Sequence, residues 1–318
     1  MLESIILSLI GGLTLFLYAL NYLSDSLKAV TGERMQFYLN KFTGNLFSGI
    51  ASGTVITTLL DSSSAVIIMT IALVKSRALT FRQAIGIVMG ANIGTTISSQ
   101  IIALDVGKYS SVLMAVGFLL LMLAKKRLPK NIGRVLLGFG LIFFGLYVME
   151  ESVAPLRQSP RFAHWMQALE NPLKGVGIGA LVTLIIQSSS ATVSMIIALG
   201  AKKLITITAG IAVMLGAELG TCSDTLLASI GRSRQAVKTG IFHLLFNVIS
   251  IIVALILFNP FVQLVSAISG NAPLERQIAN AHVLFNCIGV VLFIPVVPLA
   301  ERLLNQLIRE KQTIRQAA

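Results

Sequence analysis

Long apolar runs, broken at intervals by short polar clusters, set the pattern of this chain. Windows of spanning length with few or no charges fall at 4–23, 83–104, 109–124, 131–149, 206–229, 239–258 and 280–300. About 20 apolar residues of helix cross a bilayer, so the pattern predicts seven transmembrane helices. Two further windows, 46–74 and 175–200, are interrupted at their middle by Asp61-Ser62-Ser63-Ser64 and by Gln187-Ser188-Ser189-Ser190. Each arm of these windows is too short to cross. The reading is a re-entrant hairpin, two half-helices that enter from one side and meet near the midplane. Unwound backbone at that depth is tolerated only where it is buried in protein or lines a cavity, so both polar tips should face a cavity.

The two windows are copies of one another. A gapless offset of 126 residues aligns Gly49–Thr95 with Gly175–Thr221 and gives 17 identities in 47 positions. Among them are Gly53 with Gly179, Thr57 with Thr183, Ser62-Ser63-Ser64-Ala65 with Ser188-Ser189-Ser190-Ala191, and Gly94-Thr95 with Gly220-Thr221. Repetition at a fixed period marks a repeated structural unit. The expected organisation is a first inverted repeat over 1–126 with its hairpin at 46–74, and a second over 127–258 with its hairpin at 175–200. A C-terminal transmembrane helix and basic cytoplasmic tail follow over 259–318.

Composition agrees with a membrane chain. Of 318 residues 55% are hydrophobic and only 12% charged, against roughly a quarter charged in soluble domains. The N-terminal run MLESIILSLIGGLTLFLYAL lacks a basic lead-in and an obvious small-residue cleavage site, so it reads as a first span rather than a removed signal. Lys and Arg total 25 against 13 Asp and Glu, a net charge of +12. On a membrane chain such an excess belongs to cytoplasmic loops, and nucleic acid is not expected as a partner. Placing 24–45, 75–82, 125–134, 230–238 and 301–318 in the cytoplasm puts 18 of the 25 basic residues there. The hairpins then open to opposite sides, and the halves are inverted. Lys202 and Lys203 fall on the wrong side of this scheme. The fold class expected is an all-α membrane protein of two inverted repeats with re-entrant hairpins and discontinuous transmembrane helices, the architecture of secondary transporters.

The chemistry follows from the tips. Ser62, Ser63, Ser64, Ser188, Ser189 and Ser190 offer six hydroxyls, each a donor and an acceptor. Each tip precedes an apolar half-helix whose free N–H groups carry partial positive charge, a suitable cradle for an oxyanion such as phosphate. The same hydroxyls, with the Gln187 carbonyl, can ligate a hard cation. Serine used only for close packing or capping is the plainer reading of a single copy. Recurrence in both halves favours a site. Beside the tips, Gly90-Ala91-Asn92-Ile93-Gly94-Thr95-Thr96 pairs with Gly216-Ala217-Glu218-Leu219-Gly220-Thr221-Cys222, which suggests broken or closely packed helices around Asn92 and makes Thr95 and Thr221 candidate oxygen ligands. Asp61, Glu218 and Asp224 are ionisable at membrane depth, where such groups mark function by default. With no Lys or Arg nearby in sequence, cation binding or protonation is their expected role. His243 and His282 begin two HxxFN segments whose Asn247 and Asn286 are candidate supporting residues, interhelical hydrogen bonding being the plainer role.

Paired QSSS-type tips, GxxxGT motifs behind them and HxxFN further on resemble the sodium/phosphate cotransporter family, which includes the animal type II carriers and their bacterial relatives. The likeness runs over about residues 10–300. It implies symport of inorganic phosphate with sodium, phosphate lying between the tips and sodium among neighbouring Gln, Ser and Thr oxygens. Carried onto this chain, those positions are Ser62, Ser63, Ser64, Thr95, Thr96, Gln187, Ser188, Ser189, Ser190 and Thr221. One position departs from the pattern: Asp61 stands where the family has Gln.

The expectation is therefore a sodium-coupled phosphate symporter in the cell inner (plasma) membrane, multi-pass, with sodium as coupling ion and no other cofactor. Its cation set is Asp61, Gln187, Thr95, Thr96, Thr221, Glu218 and Asp224. Inorganic phosphate, sodium and the lipid bilayer are the partners, and homo-oligomerisation is compatible with them. Another oxyanion, phosphate export, or a passive anion channel are the alternatives on the same fold. An enzyme is not expected, since the chain lacks HExxH, GxSxG and any His beside the serine clusters.

Overall fold

Apolar windows become helices, and the polar clusters become the breaks between them. The structure, a computed structural model, describes residues 2–31, 34–104, 107–231 and 233–308, and among these it is helical with no strand. The first half holds α1 (Leu2–Thr31), the short α2 (Arg34–Phe42), the two arms α3 (Leu46–Leu60) and α4 (Ser63–Lys75) that flank the first serine tip, α5 (Phe81–Ile102) and α6 (Ser110–Leu123). The second runs through α7 (Arg127–Val153), α8 (Pro160–Ala168), the arms α9 (Pro172–Ile186) and α10 (Ser189–Ala201), α11 (Ile207–Gly220), α12 (Cys222–Ser229) and α13 (Arg234–Ile256). Beyond it lie α14 (Phe258–Ser269), α15 (Leu274–Phe293) and α16 (Val297–Leu307).

Among the described residues, six stretches are long and apolar enough to cross a membrane: Glu3–Leu27, Phe81–Ile102, Arg127–Leu156, Ile207–Ser229, Arg234–Ile256 and Leu274–Leu307. A seventh arises only if α8 and α9, bent by 100° at their junction, count together. The expected crossing at 109–124 is the exception, because α6 has 14 residues, about 21 Å of helix against a hydrocarbon core of about 30 Å. Nor is the segment after 258 a single helix. Gly270, at φ 54°, ends α14, and Pro273 precedes α15; the expected tail from 309 onward lies outside the described residues, as do 105–106 and Arg232 in the expected loops.

The two helix breaks at the serine tips are built alike. Asp61 (φ 50°, ψ 35°) and Gln187 (φ 58°, ψ 33°) end α3 and α9 in the left-handed region, at a cost of about 1 kcal/mol or more for a side chain other than glycine. Their backbone N–H groups donate to Thr57 O at 2.8 Å and Thr183 O at 2.6 Å. The next residue is extended in both, and its hydroxyl caps the following arm: Ser62 Oγ accepts from the Ala65 N–H and Ser188 Oγ from the Ala191 N–H, each at 3.2 Å.

Behind each tip the glycine motif lets backbone meet backbone. A Cβ on Gly94 would lie 2.6 Å from Thr57 Cβ, and one on Gly220 2.6 Å from Thr183 Cβ. Arm α3 is thereby seated on α5, and α9 on α11. The second arms cross over: α4 packs on α12 of the other half, and α10 packs on α5 as well as on its own α11. Helix α15 then covers α5, α10 and α11 together. Each second arm thus meets a helix of the other half.

Lys202, which caps the C-terminus of α10 outside the apolar spans, binds Glu151 at 2.8 Å and Glu150 at 3.6 Å. The Glu151 carboxylate holds its ammonium above the usual lysine range.

Candidate functional site

The four side chains of the first tip divide their work. Ser62 caps α4. Ser63 is buried at the first turn, where the leading amides of a helix have no partner within it. Ser64 reaches across to the other half: its Oγ donates to Asp224 Oδ2 at 3.2 Å and lies 3.4 Å from Thr221 Oγ1. Asp61 turns the other way, toward a pocket lined by α1, α5 and α7 side chains such as Leu23, Ile101 and Phe143, and its Oδ1 accepts from Ser98 Oγ.

At the second tip, Ser188 caps α10, while Ser189 and Ser190 are buried at its first turn. Gln187 is exposed. Ser190 O accepts from Ser194 Oγ at 2.6 Å, which leaves the Ser190 hydroxyl outside that bond. Among the described residues no hydrogen bond joins 62–64 to 188–190 directly. The link between the tips is the helix each arm packs on, α12 for the first and α5 for the second.

Thr95 and Thr96 are buried in an unbroken α5, their hydroxyls donating to Asn92 O at 2.8 Å and Ile93 O at 2.7 Å. A hydroxyl that donates in this way keeps lone pairs for a ligand. Thr221 sits at the junction of α11 and α12, so only the second glycine motif contains a helix break. Asn92 is buried with its Nδ2 unbonded. Asn247 Nδ2 donates to Cys222 Sγ at 3.1 Å across α12 and α13, whereas Asn286 Nδ2 turns back to His282 O at 3.1 Å in its own helix. The Oδ1 atoms of both asparagines are buried without a partner.

Glu218 departs from the other acids. Its Oε1 meets His282 Nε2 at 2.8 Å, and His282 Nδ1 meets Ser99 Oγ at 2.7 Å. The contacts Asp61–Ser98 and Glu218–His282–Ser99 were not expected from the sequence, although extending the 126-residue offset places Ser98 opposite Asp224 and Ser99 opposite Thr225. Asp61, Asp224, Thr221 and the tip serines supply only oxygen, the donor type suited to hard cations, and no group of three or more His, Cys, Asp or Glu gathers among the described residues.

Comparison with known proteins bears on the same residues. Over 308 residues the chain is 28% identical to the uncharacterized protein YqeW of Bacillus subtilis, which covers 96% of this chain and 99% of that one. It is 25% identical over 313 residues to the putative inorganic phosphate export protein YjbB of Escherichia coli; these span 96% of this chain but only 56% of the relative. A stretch of 98 residues, 30% of this chain and 14% of the relative, is 40% identical to the human sodium-dependent phosphate transport protein 2B. No solved structure matches. The Na+/Pi-cotransporter family profile matches twice, at residues 15–151 and 156–291, one match to each copy of the tip and its glycine motif, and the chain belongs to that family.

Proposed function

We propose that this protein is a secondary transporter that moves inorganic phosphate together with sodium through a site shared by its two serine tips. The observation that carries the reading is the bond from Ser64, on the first tip, to Asp224 and Thr221 of the second half. It joins hydroxyl, carboxylate and helix N-terminus at one point, so an anion and a cation can lie side by side.

Phosphate would take the amides at the starts of α4 and α10 with the hydroxyls of Ser63, Ser64, Ser189 and Ser190. Sodium would take oxygens from Thr221 and Asp224 beside Ser64, and from Asp61 with Ser98 on the other side of the first tip, with Gln187, Thr95 and Thr96 as further candidates. Each ion offsets the other's charge, so binding of one favours the other by the reciprocity of linked equilibria. The two halves, inverted in the membrane with re-entrant hairpins, would expose the site to either side in turn. The relatives include proteins named for sodium-dependent phosphate transport and for phosphate export. That second name favours one other reading, export through the same site.

Labelled phosphate movement in proteoliposomes, with sodium gradients imposed in either direction, tests the proposal. Uptake that follows an inward sodium gradient is expected. Phosphate movement indifferent to sodium would overturn symport, and movement only outward against an inward sodium gradient would select export.

A further inference from the structure

Away from the serine tips, α15 places His282 between the two halves with 0% of its surface exposed. Its partners come from different halves, Glu218 Oε1 of α11 at 2.8 Å and Ser99 Oγ of α5 at 2.7 Å. Glu218 and Ser99 are buried just as deeply, at 1% and 2% exposed. The other HxxFN histidine does the corresponding work in the second half. His243 Nδ1 lies 2.8 Å from Thr225 Oγ1, the residue opposite Ser99 in the repeat, and its Nε2 accepts from Asn247 Nδ2 at 3.0 Å. The position opposite Glu218 is Asn92. Only one of the two histidines thus carries a carboxylate.

A carboxylate buried without a counter-charge or a proton is too costly to persist. The hydrogen bond between Glu218 Oε1 and His282 Nε2, at 2.8 Å, gives the buried carboxyl group its partner. The location gives this consequence. Glu218 and Thr221 stand three residues apart on α11, so their side chains rise from one face of the helix, and Thr221 is a contact of Ser64. Without His282, the Glu218 carboxylate would be free to swing toward the cation oxygens.

We infer that His282 is a positioning residue for ion coupling: its buried bond to Glu218 holds that side chain away from the cation site. The carboxylate beside Ser64 and Thr221 is then that of Asp224. Ser99 orients the ring by occupying its second nitrogen, which leaves Nε2 for Glu218. This inference rests on the sodium-coupled reading above.

The experiment measures the sodium dependence of phosphate transport in proteoliposomes for the wild type, E218Q, H282Q and the double variant E218Q/H282Q. Glutamine in place of Glu218 keeps the size and a hydrogen bond but carries no charge. E218Q should keep the wild-type sodium half-saturation while its maximal rate falls. H282Q releases the carboxylate and should shift that half-saturation by about tenfold, and the double variant should return it to the wild-type value. A shift in E218Q as large as that in D224N would overturn the inference, because Glu218 would then be a cation ligand. Equal rate losses in all three with no change in sodium dependence would reduce the pair to packing, with the same effect. The E218Q arm decides even where H282Q does not fold. Wild-type transport indifferent to sodium would overturn symport alone; the pair is then judged by thermal unfolding of the four proteins in detergent. Losses in the single variants that are recovered in the double support the pairing of Glu218 with His282, and additive losses refute it.

Discussion

Replacing Ser64 by alanine removes the one side chain that joins the first tip to both Thr221 and Asp224. The bond to Asp224 Oδ2 is 3.2 Å long and the site is partly buried. Hydrogen bonds to charged groups contribute about 1.5–3 kcal/mol, and the length and partial exposure place this one at the lower end, about 1.5 kcal/mol. If the hydroxyl serves bound phosphate as well as Asp224, that corresponds to about a tenfold rise in the phosphate concentration for half-maximal transport. Asp224→Asn removes the acceptor's charge, and the double variant S64A/D224N should cost less than the sum of the single changes, because both act on one contact. The assay is initial-rate phosphate uptake at saturating sodium, with surface abundance measured in parallel. An unchanged half-saturation in S64A, or strictly additive losses in the double variant, would show that Ser64 and Asp224 do not act at a shared site.

Asp61→Gln restores the family residue and removes one carboxylate; sodium half-saturation should rise by about tenfold, with phosphate half-saturation at saturating sodium close to wild type, and an identical sodium curve would make Asp61 a bystander. Gly94→Val or Gly220→Val drives a side chain into Thr57 or Thr183, 2.6 Å from where the new Cβ sits. Overpacking of this kind costs about 1–3 kcal/mol, so the detergent-solubilised protein should melt several degrees lower. Lys202→Gln tests the ion pair at the C-terminus of α10, where a partly exposed pair contributes less than about 1 kcal/mol. Its ammonium is held above the ordinary value of 10.5 by Glu151, so the contribution is whole below that pH and fades as pH rises beyond it. The difference in melting temperature between K202Q and wild type should therefore be small at neutral pH and vanish in strong alkali.

The helix breaks at the serine tips were legible because they were written twice. Asp61 and Gln187 share a left-handed turn, and Ser62 and Ser188 share a cap, so two sequence copies became two copies of one local structure. The glycine motifs were legible as motifs, but their use was not. Gly94 and Gly220 seat one helix against another, and only Thr221 marks a break. Partners far apart along the chain were beyond the sequence. Ser98 finds Asp61 across 37 residues and His282 finds Ser99 across 183, distances at which no local pattern indicates contact. The recurrence of HxxFN pointed to His243 and His282 without revealing that each binds the equivalent hydroxyl of a different half. The crossing expected at 109–124 failed on length alone: Ala124 and the positive run after it end α6 at Leu123.

The account stands on the anion being held by both tips at once. An experimental structure of the protein in sodium and phosphate measures this most directly. Density for phosphate within hydrogen-bonding distance of residues 62–64 and of residues 188–190 is the predicted result. Phosphate bound by one tip alone, or at a place remote from both, would contradict it.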